Sequence, residues 1–335
     1  MFSDVIKSSL EKEVVGQTWA VDTVVRGVTR LVSGMTPWER TFCAYLFLGP
    51  TGTGKTHLIQ TLARMLHGSE QRILVVDCSG PATGDPGMIL ATQLAPLYAA
   101  SRSNSRSGPL QAPPLSIIQI ECIERGPKET PKVLAAALKT GQVMLPDGWR
   151  GSLKNCMIFL TSGLCAREIL EEAPRIGFTG PQENGENGET DKIYTLCQEQ
   201  TEKAFGSELV GRLDGLVIFH RLQEEHLGEI LDGRFARLKR WLAVHGFQSE
   251  LQPAARAFLL EKGRGNLRFG ARDLLRAHQK FVEFPVADLL VSGRIPAGGT
   301  VCVDLRDDEK HLHFTMEAHP AGLASQPFQR EIPVA

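Results

Sequence analysis

The stretch that decides the reading of this chain is Tyr45–His57, YLFLGPTGTGKTH, an apolar run that breaks into glycines and ends in Lys55, Thr56 and His57. Gly49, Gly54, Lys55 and Thr56 fit the pattern G-x-x-x-x-G-K-S/T, with Pro50, Thr51, Gly52 and Thr53 filling the turn. In such a turn the glycines let successive backbone N–H groups point inward at phosphate oxygens. Lys55 reaches the outer phosphates, and the Thr56 hydroxyl can ligate magnesium. The apolar run before the turn predicts a strand. His57–His67, HLIQTLARMLH, has apolar residues at helical spacing and predicts a helix whose positive N-terminal end adds to the phosphate site. Strand, glycine turn and helix together are the context the motif needs, so these residues imply binding of a nucleotide with magnesium.

Working outward, a length of 335 residues fits about two domains, and an apolar content of 42% is ordinary for a folded chain with a sizeable core. Lys and Arg number 37 against 38 Asp and Glu, so bulk charge gives no reason to expect a nucleic acid or an anionic membrane as partner. The seven cysteines form no C-x-x-C pair and no Cys/His cluster at zinc-finger spacing, which predicts reduced, mostly buried thiols. No signal-peptide core precedes the phosphate loop and no run of eighteen apolar residues occurs, so a cytoplasmic protein is expected.

Upstream, Ser3–Val32 carries apolar residues every three or four positions, predicting two helices broken at Val14-Val15-Gly16-Gln17. That break reads either as helix punctuation or as part of a nucleotide pocket. Downstream, Arg72–Asp77, Leu115–Glu121, Cys156–Leu160 and Leu216–Phe219 predict further strands, alternating with helices at Met88–Ala100, Thr130–Leu138 and Ile193–Phe205. This alternation is the signature of a largely parallel sheet covered by helices on both faces. Ser101–Pro114 and residues 178–192 have the composition of mobile loops. From Glu224 the pattern turns helical, over 224–245, 253–262 and 270–292, and Gly298–Phe314 predicts two short strands around Arg306-Asp307-Asp308.

In this order the motifs resemble the ClpB/ClpA class of AAA+ ATPases, specifically their second ATPase module. The similarity runs from about Val14 to Phe314 and is carried by VVGQ at 14–17, LFLGPTGTGKT at 46–56 and the stretch from Glu121 through Thr161-Ser162. It continues in FGSELVGRLD at 205–214, VIFHRL at 217–222 and FGAR at 269–272. The resemblance implies an α/β phosphate-loop AAA+ domain at 1–222 and a smaller helical lid ending in a β-hairpin at 223–318. A loose tail at 319–335 would follow. It implies ATP or ADP with magnesium as cofactors, held by Val15, Gly16, Pro50 through His57 and Arg272, with Thr56 and Glu121 serving the metal. Arg212 falls on the arginine finger, offered to the nucleotide of a neighbouring subunit, and Arg272 on the second sensor. A finger acting in trans implies a homo-oligomeric ring, commonly a hexamer, acting on protein clients. The family's N-terminal domain, first ATPase module and coiled-coil arm have no counterpart in the sequence.

Three departures bear on mechanism. Where the family's third strand ends Asp-Glu, this chain has Glu121-Cys122, so Glu121 can serve the metal while a thiol replaces the carboxylate that polarises the attacking water. A pairing shifted by one makes Glu121 the base and leaves Ile120 at the metal position; Glu124 is a third candidate. The first sensor, normally polar, falls on Gly163. In place of the aromatic client-gripping loop stands Ala95–Ala99, whose Tyr98 either faces a pore or packs on a helix. Slow hydrolysis is the expectation, and a nucleotide-gated assembly protein with little turnover is the alternative.

Overall fold

The computed structural model describes residues 2–35, 41, 43–79, 85–102, 108–113, 115–171, 190–264, 270–296, 298–306 and 312–317. Two compact units divide between Arg221 and Leu222. The first opens with α1 (Phe2–Glu13) and α2 (Thr18–Val32), then β1 (Cys43–Leu48), α3 (Lys55–His67), β2 (Ile73–Asp77), α4 (Pro86–Leu94) and α5 (Ala99–Arg102). It continues with β3 (Leu110–Gln111), β4 (Ser116–Glu121), α6 (Thr130–Thr140), β5 (Gln142–Met144), β6 (Arg150–Ser152) and β7 (Cys156–Ser162). The unit ends in α7 (Ala166–Glu171), α8 (Thr190–Phe205), α9 (Ser207–Val210) and β8 (Gly215–Ile218). Residues 178–189 of the loop expected at 178–192, and the tail, lie outside the described residues, while 190–192 open α8.

Five strands pair in the order β2-β4-β7-β1-β8, every pair parallel. Every residue of β1 and β7 is buried, as an interior strand covered on both faces requires, which is why β1 is an unbroken apolar run and β7 is apolar from Cys156 to Leu160 before it ends in Thr161 and Ser162. Phe47 sits at the centre, tilted against Phe159 and Phe219. Because all five strands run one way, their C-terminal ends share one edge. Gly49, Glu121 and Ser162 therefore come to the same crevice, where ligands bind in open α/β sheets.

The opposite edge is closed by Asp214. Its carboxylate accepts the Ala44 N–H at 2.8 Å and the Arg30 guanidinium at 3.0 Å, fixing the entry of β8 beside β1. Asp214→Ala strands a backbone donor and removes an anion beside Arg30, and is expected to destabilise the unit by about 2–3 kcal/mol in urea unfolding. Asp214→Asn, which keeps an acceptor oxygen, is expected to cost about half as much.

A second sheet, β3-β6-β5, was not expected from sequence, which reads 101–114 as a loop. Its strands have two or three residues each, too short for an alternation to register, and Gly148 turns the hairpin at φ 83°. Tyr98 lies beneath this hairpin: it is 0% exposed, its hydroxyl donates to the Ser152 carbonyl at 3.1 Å, and its ring fills the space where Gly151 has no side chain. The packed reading of Tyr98 is the one its surroundings support.

The second unit contains α10 (Glu224–Val244), β9 (Gln248–Leu251), α11 (Pro253–Gly263), α12 (Arg272–His278), α13 (Phe284–Val291), β10 (Thr300–Leu305) and β11 (Leu312–Glu317). Strands β10 and β11 form the expected hairpin, and β9 adds to it in parallel. Sequence reads 270–292 as one helix, yet a π-helical turn, Gln279–Glu283, joins α12 to α13. Pro285 has no N–H to give the ladder, and the wider turn just before it absorbs that loss. The turn also stacks Glu283 over His278, 3.2 Å apart, and Arg234 donates to the same carboxylate at 3.0 Å. Among the described residues no helix is long and apolar enough to cross a membrane.

A candidate nucleotide and magnesium site

The phosphate loop is held in shape by its own backbone. Gly49 adopts φ 129° and a side chain there would overlap the Phe219 carbonyl oxygen, so the loop leaves β1 pressed against the end of β8. The Phe219 N–H closes this contact by donating to the Leu48 carbonyl at 2.8 Å. Gly54, at φ 108°, caps α3 in a conformation that L-residues rarely adopt. Between them the Thr53 hydroxyl, buried, donates to the Pro50 carbonyl at 2.9 Å. The Lys55 ammonium donates to the carbonyls of Gly49 at 2.7 Å and Pro50 at 2.6 Å, and so stays within the loop it serves. The first N–H groups of α3 have no partners within the helix and, with the helix dipole, make the turn a cradle for anionic oxygens.

Val14 to Gln17 form a brace beside this cradle. A side chain added at Gly54 would stand 3.7 Å from Val14 Cγ1, and the His57 ring Nε2–H donates to the Glu13 carbonyl at 3.0 Å. Gln17, 3% exposed, clasps the backbone of His220 at both ends: its Nε2 donates to the carbonyl at 2.9 Å and its Oε1 accepts the N–H at 3.1 Å. Gly16 turns the chain between α1 and α2 at φ 74°. Burial of the His220 imidazole pushes its pKa down to about 4, so it stays neutral around pH 7.

Thr56 and Glu121 arrive from elements that are not sheet neighbours, and one side chain spans them. Gln119 on β4 donates from Nε2 to the Thr56 hydroxyl oxygen at 3.3 Å and to Glu121 Oε1 at 2.5 Å. One hydroxyl and one carboxylate are a sparse donor set, and among the described residues no group of three or more His, Cys, Asp and Glu could hold a metal ion. Such a pair suits magnesium, which keeps several waters and takes most other ligands from phosphate oxygens. The residues fit a metal that arrives with its nucleotide.

Cys122 follows Glu121 directly, at φ 53° and ψ 46°. Burial raises the pKa of its thiol, and Glu124 adds to the rise, so the group is neutral near pH 7 and cannot take up a proton as a carboxylate does. Gly163 lies one residue beyond Ser162, which pairs with Leu48, and so faces the first residue of the phosphate loop. Its N–H donates to Glu124 Oε1 at 3.1 Å, and that oxygen stands 3.4 Å from where a Gly163 side chain would begin.

The two arginines stand on different units. Arg212 precedes β8 by three residues, at the edge of the sheet opposite the phosphate loop, so a single chain does not join it to Lys55 and Thr56. Its Nε is buried with no hydrogen-bond partner among the described residues, and Glu208 lies 3.7 Å from Nη2. Arg272 is exposed at the first position of α12 in the second unit, while Phe269 of the FGAR motif lies outside the described residues. Sequence reading missed Gln119, although one amide within the apolar run SIIQI was its signal, and it missed the clasp by Gln17, which no local pattern encodes.

A strand, a glycine cradle and a helix at the C-terminal edge of a parallel sheet define the first unit as a phosphate-loop nucleotide-binding domain. The chain belongs to the AAA family: residues 40–216, more than half of it, match the AAA domain (Cdc48 subfamily), and residues 222–303 match the C-terminal, D2-small domain of ClpB protein. It is 30% identical over 298 residues to chaperone protein ClpB of Rhizobium meliloti, covering 89% of this chain and 33% of that protein. It is 28% identical over 305 residues to the negative regulator of genetic competence ClpC/MecB of Bacillus subtilis, covering 91% of this chain and 37% of that one. The chain thus spans about a third of the length of these curated relatives. Its fold is that of a chain of Hsp104, solved in its closed state with ATPyS and FITC casein, at a TM-score of 0.71 and 23% identity over 93% of this chain and 51% of that one.

Proposed function

We propose that the chain binds ATP with magnesium and works as a ClpB-like, nucleotide-dependent protein-remodelling ATPase whose hydrolysis is slow. The observation that carries this reading is the meeting of Lys55, Thr56 and Glu121 at the C-terminal edge of the sheet, in a chain whose two parts match the AAA domain and the ClpB small domain. Lys55 and the loop N–H groups hold the phosphates, and Thr56 and Glu121 hold the cation, which when bound neutralises charge developing on the phosphoryl group. Val15, Gly16 and His57 flank the nucleotide. Arg272 reports its state to the helical unit. Arg212, on the far edge with a buried donor unmatched, serves the nucleotide of a neighbouring copy, so the working form is a homo-oligomeric ring. The cytoplasm is the compartment this reading favours, with all seven thiols free.

The second reading, a nucleotide-gated assembly protein with little turnover, is favoured by one observation: the water side presents a neutral thiol at Cys122 and only a backbone N–H at Gly163. Both readings expect ATP to drive assembly. Light scattering with size-exclusion chromatography is expected to give a larger species with ATP and magnesium than without, and Arg212→Ala to weaken that shift. A size independent of nucleotide would contradict the ring.

A further inference from the structure

Gln119 is 1% exposed in a strand whose neighbours Ile117, Ile118 and Ile120 are all buried and apolar. A buried amide is retained only where its hydrogen bonds are met. This one spends both N–H bonds of its nitrogen on two acceptors, the Thr56 hydroxyl oxygen at 3.3 Å and Glu121 Oε1 at 2.5 Å. A carboxylate only accepts, so the nitrogen must face Glu121, and the orientation of the amide follows from its partner's chemistry. Residues 119 and 121 lie on one face of β4 by the alternation of a strand, and β7 stands between β4 and β1 in the sheet. The amide thus reaches across the sheet to a residue of the phosphate-loop helix.

We propose that Gln119 is a positioning residue that presets Thr56 and Glu121 as the two protein arms of a magnesium site. The proposal rests on the nucleotide reading above and adds to it a supporting group. Each N–H of the amide occupies one lone pair of an arm's oxygen, leaving the remaining lone pairs, and the second carboxylate oxygen, for a cation. Glu121 has one more rotatable bond than an aspartate, so its carboxylate has more orientations to lose, and the hydrogen bond from Gln119 removes them. Outer groups of this kind hold ligand orientation without touching the metal.

The test measures metal coupling, with the full chain and a fluorescent ATP analogue as probe. Affinity is measured in EDTA, and the magnesium concentration giving half of the metal-dependent gain is then determined, alongside the unfolding temperature. For Gln119→Leu, with Gln119→Met as a second variant should leucine fail to fold, metal-free affinity is expected to stay within about twofold. The magnesium midpoint is expected to rise about tenfold or more. An unchanged midpoint in a folded variant would overturn the proposal. So would a loss of metal-free affinity equal to the loss with magnesium, because a merely structural residue acts on both. Failure of the wild-type chain to bind the analogue at all would refute the nucleotide reading itself, and is told apart by needing no variant.

Discussion

Replacing Lys55 by alanine is expected to lower ATP affinity by about a hundredfold while leaving the fold intact. The Lys55 ammonium is held within the loop by the carbonyls of Gly49 and Pro50, at 2.7 and 2.6 Å, and the loop N–H groups supply no other full positive charge. A hydrogen bond from an ammonium to a phosphate oxygen is shorter and stronger than a neutral one, contributing about 3 kcal/mol, or about two decades in affinity. Gly49, Thr53 and the Phe219 contact keep the loop's path without the side chain, so the unfolding temperature is expected to move by only a few degrees. Titration of a fluorescent ATP analogue into both proteins measures the loss. An unaltered affinity in Lys55→Ala would mean that nucleotide binds elsewhere.

The second large effect is a gain. Cys122→Glu is expected to raise ATP turnover at least about tenfold, restoring part of the 10² to 10⁴ that a positioned base typically contributes. Cys122 already occupies a left-handed conformation, which costs an L-residue about 1–2 kcal/mol whatever its side chain, so glutamate adds no new backbone strain. A carboxylate there supplies the acceptor that the neutral thiol lacks. The gain stays below the full amount because Gly163 offers no side chain and its N–H is taken by Glu124. Phosphate release at saturating ATP, with affinity measured in parallel, separates turnover from binding. Unchanged turnover with full binding would remove Cys122 from the water side.

Much of the first unit was legible because its elements are long or fully covered. The runs at Cys43–Leu48 and Cys156–Leu160 are unbroken apolar stretches, and the loop between β1 and α3 carries its own glycine signature. The three-stranded sheet under Tyr98 was not legible: strands of two or three residues have no period, and their pairing depends on a tyrosine about fifty residues away in sequence. Strand β9 failed for the same reason, since its four residues QSEL are mostly polar and pair only with a strand that begins at Thr300. In the site, Lys55, Thr56 and Glu121 were named by motif. Their connection through Gln119 was not, because a buried amide in a strand gains meaning only when its partners are known.

The central claim, a chain that holds ATP well and turns it over slowly, is tested most directly by measuring ATP binding and phosphate release on the purified protein with magnesium, using Lys55→Ala as blank. The account predicts saturable binding that the blank lacks. It predicts turnover of about 10⁻¹ to 10⁻³ s⁻¹, the level reached when a median enzyme rate of about 10 s⁻¹ loses a positioned base. Absence of binding, or a wild-type turnover of about 10 s⁻¹ that Cys122→Glu does not raise, would contradict it.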